Sequence, residues 1–266
     1  MKNQPKVSII MNCYNGEKFL KTSINSLINQ SYKNFEIIFY DNKSTDNSIN
    51  IIKSFKDKRI RIFSSKKKLK LYKARNSAIK KAKGKYLTFL DTDDIWNRDK
   101  LQRQMDVIDQ NKLIKIIYTN YNILKQKKKL KYQRFNYALP SGKITKELIN
   151  NYTIGIATVL IKKELFDKFK FDETYDIIGD FDLMIKLSWN NKIHVIQKPL
   201  ATYRIHGSNL SIKRYDLYSS ELKRWIFKNK KKIEKKGFSL RPIRYSLLKI
   251  EIKRLLSSFL GISWGM

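Results

Sequence analysis

Two aspartates two residues apart, in Asp91-Thr92-Asp93-Asp94, offer the most pointed chemistry in the 266-residue sequence. Carboxylate oxygens suit Mg²⁺ or Mn²⁺, which usually take one or two protein carboxylates and complete their shell with water and substrate phosphates. The same spacing also fits a polar turn ahead of a helix. Asp41 ends an apolar run and suits either an Asx turn or a hydrogen bond to a nucleotide base or ribose. Arg75, in Ala74-Arg75-Asn76, is either a diphosphate contact or a solvated surface cation. Asp180 and Asp182 cannot share one helix face, so at most one looks into a pocket, and Asp180 suits a helix N-cap or a general base. His194 alternates within an apolar run and reads as a strand residue, whereas His206 lies in the polar loop Tyr203-Arg204-Ile205-His206-Gly207 and suits a ligand. Cys13, the single cysteine, reads as a small buried residue.

These side chains need strand ends and helix starts to hold them. Val7 to Asn12, Phe35 to Tyr40, Ile60 to Phe63 and Tyr86 to Leu90 are strand-like apolar runs. Between them, Phe19, Leu20, Ile24, Leu27 and Ile28 recur at helical spacing, as do Ile49, Ile52 and Phe55, with Ser44 or Thr45 as the expected N-cap. Ala74, Ala78 and Ala82 mark a third helix, with Gly84 expected to close it in the left-handed conformation. Strands alternating with helices predict a mostly parallel, Rossmann-like sheet with helices on both faces, which binds ligands beyond the carboxyl ends of its strands. Asp41 and the aspartate cluster stand at such ends.

Further along, a helix is expected from about Arg98 to Asn111 with Leu101, Met105 and Ile108 inward, then strands at Ile116 to Tyr118, Thr158 to Ile161 and Ile193 to Ile196, and a helix opening with Asp180. From about Lys213 two basic amphipathic helical segments follow. Leu222, Trp225, Ile226 and Ile233 share one face, and Leu248, Ile252, Leu255, Leu256 and Phe259 share the next. Trp225, Phe259 and Trp264 are candidate interfacial aromatics on an anionic membrane surface, with packing on the domain or on a second subunit as the alternative.

Composition narrows the classes. The length fits one large α/β domain, or a domain with a smaller appendage. Lys+Arg 57 against Asp+Glu 23 gives +34, yet 42% apolar and 12% aromatic residues exclude a disordered basic tail. Of the basic residues 45 are Lys and 12 are Arg. Guanine readout and bidentate phosphate clamps favour the Arg fork, so the excess argues against a nucleic-acid reader. One cysteine excludes an intrachain disulfide framework and a four-thiolate zinc site. The longest apolar run, Ile37 to Tyr40, has four residues against the roughly 20 that span a bilayer, and no apolar leader opens the sequence, so a cytoplasmic location is expected.

Taken together, six segments resemble the family 2 glycosyltransferases, inverting nucleotide-sugar enzymes of the GT-A fold. They are Val7-Ser8-Ile9-Ile10-Met11-Asn12-Cys13-Tyr14-Asn15-Gly16-Glu17-Lys18-Phe19-Leu20, Asn29-Gln30-Ser31-Tyr32-Lys33-Asn34-Phe35-Glu36-Ile37-Ile38, Asp41-Asn42-Lys43-Ser44-Thr45-Asp46, Ala74-Arg75-Asn76, Gly84-Lys85-Tyr86 and Phe89-Leu90-Asp91-Thr92-Asp93-Asp94-Ile95-Trp96. The resemblance implies that Asp41 holds the base or ribose, that Tyr14, Arg75 and Asp91 lie at the nucleotide-sugar, and that Asp91 and Asp93 form the D-x-D motif, with Asp93 on a Mg²⁺ or Mn²⁺ ion. It implies that Asp180 is the catalytic base and that His206 closes over the diphosphate or its metal.

Two departures stand out: Asn42 and Lys43 replace the family's second Asp and Gly, and Gly179 stands where an acidic residue usually precedes the base. The implied layout is a nucleotide-sugar-binding half at 1–97, an acceptor-binding half at 98–212 and a basic helical tail at 213–266. The implied function is transfer of a hexosyl or N-acetylhexosaminyl group from a UDP-sugar to a hydroxyl of a growing glycan or glycolipid, at the inner face of the cell membrane. A lapsed GT-A-fold binding or scaffold protein is the alternative, for which Gly179 is the argument.

Overall fold

The computed structural model describes residues 4–260, apart from the side chains at 211–212 and 257–260. Four strands, β1 (Val7–Cys13), β2 (Phe35–Asp41), β3 (Ile60–Ser64) and β4 (Tyr86–Phe89), pair in parallel in the order β3-β2-β1-β4. Every residue of β1, β2 and β4 is buried, as strands covered on both faces must be. The covers are α1 (Glu17–Ile28), α2 (Ser48–Ser54) and α3 (Leu71–Ile79). Leu20, Ile24 and Leu27 of α1 and Ile52 of α2 pack on one face of the sheet, while Tyr72, Ala74 and Ala78 of α3 pack on the other.

The sheet continues through later strands. These elements are β5 (Ile95–Trp96), α4 (Lys100–Gln110), β6 (Ile116–Lys125), β7 (Leu130–Gln133), α5 (Thr145–Asn150), β8 (Leu160–Lys162) and α6 (Leu165–Lys168). Then come α7 (Gly179–Ser188), β9 (His194–Ile205), α8 (Leu210–Lys213), α9 (Tyr215–Lys235) and α10 (Arg241–Leu260). Beyond β4 the order is β8-β6-β9-β5, with β8 antiparallel to both its neighbours, β9 parallel to β6, β5 antiparallel to β9 and β7 a hairpin on β6. By paired residues the sheet is mostly parallel, as the alternating pattern predicts.

Several local expectations are corrected. Strands β6 and β9 run to Lys125 and Ile205, well past the short apolar runs. Their register shifts at Thr119/Asn120 and Asn120/Tyr121, which breaks the period-2 pattern where the strands become polar. Helix α2 begins at Ser48 with Asn47 before it, not at Ser44 or Thr45; the Ser44 hydroxyl instead accepts the Asn15 N–H at 3.0 Å. Gly84 does not close α3, which ends at Ile79. A Cβ at Gly84 would lie 2.5 Å from the Ser8 nitrogen, so the glycine permits β1 to pass close by.

Trp225, a candidate interfacial aromatic, is 1% exposed. With Leu222, Ile233, Leu240 and Ile243 it joins the core cluster that contains Tyr72 and Phe89, so α9 packs on the domain. The Phe259 side chain and Trp264 lie outside the described residues. Among the described residues, no helix is long and apolar enough to cross a membrane.

Candidate active site

A cleft of about 1090 Å³ opens beyond the carboxyl ends of β1 and β4 and is closed on its far side by α5, α7 and α9. Asp91 stands two residues past β4, which stops at Phe89, and the chain then turns through Thr92. The Ser23 hydroxyl, on α1, lies 2.7 Å and 2.6 Å from the Thr92 and Asp94 carbonyl oxygens and fixes that turn. Arg75 of α3, 2% exposed, donates from Nη2 to Asp91 Oδ1 at 2.6 Å and from Nη1 to Asp180 Oδ1 at 2.9 Å. The rings of Tyr72, Phe89 and Phe171 surround its guanidinium at 5.5 to 5.8 Å. Arg75 is therefore not a solvated surface cation.

Asp180 sits in the first turn of α7, after the N-cap position at Ile178, and faces the cleft. Enclosure of its carboxyl pushes its pKa up to about 6; Arg75 opposes that shift and Asp91 adds to it. Its neighbour Asp182 turns away to Lys186 and to the Trp225 indole N–H at 3.0 Å, so one carboxylate of the pair looks into the cleft. Gly179 has a physical reason: a Cβ there would lie 2.5 Å from a ring carbon of Tyr72. That tyrosine fills the space of the missing side chain. Its hydroxyl accepts the Asp180 N–H at 3.3 Å and donates to the Ile177 carbonyl at 3.0 Å.

Asp93 is held on the opposite rim. Its Oδ2 lies 2.9 Å from His206 Nε2 and 3.4 Å from Asn209 Nδ2, while Arg204 donates to its carbonyl at 2.8 Å. Asp94 is buried and accepts the Arg204 backbone N–H at 3.0 Å; burial, with Asp93 and Asp91 nearby, drives its carboxyl far up toward the neutral form. Among the described residues no three His, Cys, Asp or Glu side chains form a complete cation site. A divalent ion that shares a diphosphate needs fewer. The Asp93 carboxylate and the His206 imidazole, paired with each other at 2.9 Å, are donors of the kind that would suit such an ion. Asp91 is engaged with Arg75.

The other candidates lie near the carboxyl ends of β1 and β2. Tyr14, 43% exposed, lines the cleft with Lys68 Nζ 3.6 Å from its ring centroid. Asp41 is buried and accepts the N–H of Ser44, three residues on, at 3.2 Å. The two departures there are structural: Asn42 pairs with the Leu69 backbone at 2.8 and 2.9 Å and ties down the 65–69 loop, and Lys43 adopts φ +67° where glycine is usual. Reading the sequence missed Asn12, whose buried amide lines the cleft with neither its nitrogen nor its oxygen paired. It also missed Tyr72, and Glu221 of α9, which accepts three backbone N–H groups ahead of α7. A polar residue closing the apolar run of β1 was the one signal for Asn12.

Residues 8–186 match the family model described as glycosyl transferase family 2. An Escherichia coli protein, UDP-Glc:alpha-D-GlcNAc-diphosphoundecaprenol beta-1,3-glucosyltransferase WfgD, is 31% identical over 220 residues, covering 82% of this chain and 83% of that protein. The amylovoran biosynthesis glycosyltransferase AmsB of Erwinia amylovora is 33% identical, covering 74% and 69%. An uncharacterized glycosyltransferase of Rickettsia bellii is 34% identical over 82% of this chain, which spans only 31% of that longer protein. The S. aureus TarS 1–349 structure in complex with UDP-GlcNAc shares the fold at a TM-score of 0.66 and 20% identity, covering 83% of this chain and 66% of that one.

Proposed function

The chain belongs to glycosyl transferase family 2, with a GT-A fold, and we propose that it is an inverting, metal-dependent enzyme that moves a sugar from UDP to a hydroxyl of a lipid-linked glycan. The carrying observation is the Arg75 guanidinium that joins Asp91 to Asp180. It brings the strand-end carboxylates and the α7 carboxylate to one cleft, as donor and acceptor sides of a transfer require.

The acceptor hydroxyl is a poor nucleophile while protonated, and Asp180 takes its proton as the new bond to C1 forms. A carboxyl titrating near 6 is a stronger base than an ordinary aspartate, yet is mostly ionised at neutral pH. Asp93 and His206, with Asp91 close by, would hold Mg²⁺ or Mn²⁺, which when bound offsets the charge of the leaving diphosphate. Tyr14 offers a ring face to the base, Asn12 an unpaired amide beside it, and Asp41 orders the loop beneath. Tyr72 in the Gly179 space leaves Asp180 with all its partners, which supports an enzyme over a lapsed scaffold.

The named relatives support the donor and acceptor classes: UDP-Glc and a diphosphoundecaprenol-linked sugar in the E. coli protein's name, and UDP-GlcNAc in the TarS complex. Such an acceptor lies in a membrane. Helix α10 turns Ile243 into the core and exposes Tyr245, Leu248 and Ile252 at helical spacing beside Lys249 and Lys253, which suits peripheral contact with an anionic inner leaflet.

The test is a panel of nucleotide sugars with Mg²⁺ or Mn²⁺ and a polyprenyl-diphosphate-linked sugar. Released UDP and a lengthened acceptor of inverted anomeric configuration are expected. No nucleoside diphosphate release from any donor would overturn the assignment, and a retained configuration would overturn inversion.

A further inference from the structure

Resting on the glycosyltransferase reading above, we propose that Glu221, on α9 and outside the stretch matched by the family model, is a positioning residue that sets Asp180 against the acceptor. Glu221 is 2% exposed, and its carboxylate accepts the backbone N–H groups of Asp176 at 2.7 Å, Ile177 at 3.0 Å and Ile178 at 3.1 Å. These are consecutive residues of the turn that enters α7, and Asp180 is two residues beyond the last of them. A carboxylate is the one side chain with enough acceptor positions to take all three, and its charge faces the helix N-terminus, where an anion is favoured.

Helix α9 holds the following residues as well. One turn after Glu221, Trp225 donates its indole N–H to Asp182 at 3.0 Å and sets its ring 4.7 Å from that of Phe181. The helix therefore grips the chain on both sides of Asp180. The Asp180 carboxylate accepts from Arg75 of α3, and the Tyr72 hydroxyl of the same helix takes the Asp180 backbone N–H. Glu221 acts on the base only by placing its backbone.

Glu221→Gln keeps the shape but leaves one acceptor oxygen and turns an NH₂ toward N–H donors. It is expected to lower kcat about 10²-fold, the order expected when a reacting group moves by about an ångström. The donor KM should stay within about twofold, because the nucleotide side is untouched. Turnover is expressed per UDP-binding site, counted by calorimetry, so a residue that merely stabilises the fold would lower the number of sites and the Tm but not the turnover of each. Glu221→Asp, which restores the acceptor charge, should recover part of kcat. Backbone hydrogen exchange at residues 176–178, measured without any substrate, should quicken in Glu221→Gln.

Unchanged turnover per site overturns the proposal, as does an equal rise in donor KM or unchanged exchange at 176–178. If Glu221→Gln fails to fold, Trp225→Phe removes the indole N–H together with the second ring of the indole and should give the same split, in turnover counted per UDP-binding site, in smaller measure; an unaltered kcat there also overturns it. Absence of any transfer by the wild type would fail the function, whereas the exchange result judges the clamp separately.

Discussion

Two of the buried cations, Arg75 at 2% exposure and Lys100 at 0%, have opposite surroundings. Arg75 stands between two carboxylates and three rings; burial opposes its charge, but Asp91 and Asp180 outweigh it, and its pKa is raised. Lys100, below the sheet, has Gln104 Oε1 at 2.9 Å, Thr88 Oγ1 at 3.3 Å and the Trp96 ring at 3.8 Å, and burial drives its pKa well down. The first is locked in the charged form and the second is pressed toward the neutral one. A buried cation marks function when it has counter-charges that themselves face a cleft; burial alone does not.

That contrast is open to measurement. Removing Arg75 by Arg75→Met should have the largest effect, because it leaves Asp91 and Asp180 facing each other. A loss of about 3 kcal/mol in urea unfolding is expected, along with turnover below that of any single carboxylate variant. If Arg75→Met and Lys100→Met moved the unfolding midpoint alike, the distinction would collapse.

Next comes Asp180→Asn, which keeps the shape and removes the basic oxygen. Its kcat should fall about 10²- to 10⁴-fold with donor KM nearly unchanged. In the wild type kcat/KM should rise with pH through about 6, since the raised carboxyl must lose its proton to act, and the variant should lack that limb. A limb near 4 would mean that another group is the base.

Lys100→Met should do least. It removes a costly buried amine but leaves Gln104 Oε1 without its donor, an offset of about 1 kcal/mol, so the net change at neutral pH is small. Its pH dependence is sharper. Between the lowered folded pKa and the unfolded value of about 10.4 the unfolded chain binds the extra proton, so this lysine makes wild-type stability climb with pH. Any advantage of Lys100→Met should therefore shrink as pH approaches 10.

The two halves of the chain also differ in how far their sequence speaks. Strands β1 to β4 were legible within about a residue, because apolar runs alternate with helical spacing and each ends in a polar turn. Asp91, Asp93, Asp180 and His206 were legible as candidates because they stand at strand ends, a helix start and a loop. What joins them was not. The Tyr72 contact with Ile177 spans 105 residues of sequence and the Glu221 contact with Asp176 spans 45, and no local pattern encodes either. Strand β9 was foreshortened because its bulged pairing with β6 destroys the alternation by which a strand is recognised.

The Tyr72 ring against Gly179 also restricts how this site can evolve. An acidic residue cannot be restored at 179 in one step, since its Cβ would enter the space of the ring carbons at 2.5 Å. Trimming Tyr72 first would open that space but strip the Asp180 N–H and the Ile177 carbonyl of their shared hydroxyl. Each intermediate is worse than either end state, so the two positions form an epistatic pair that must change together. Descendants of this chain are expected to keep Gly179 for as long as they keep Tyr72.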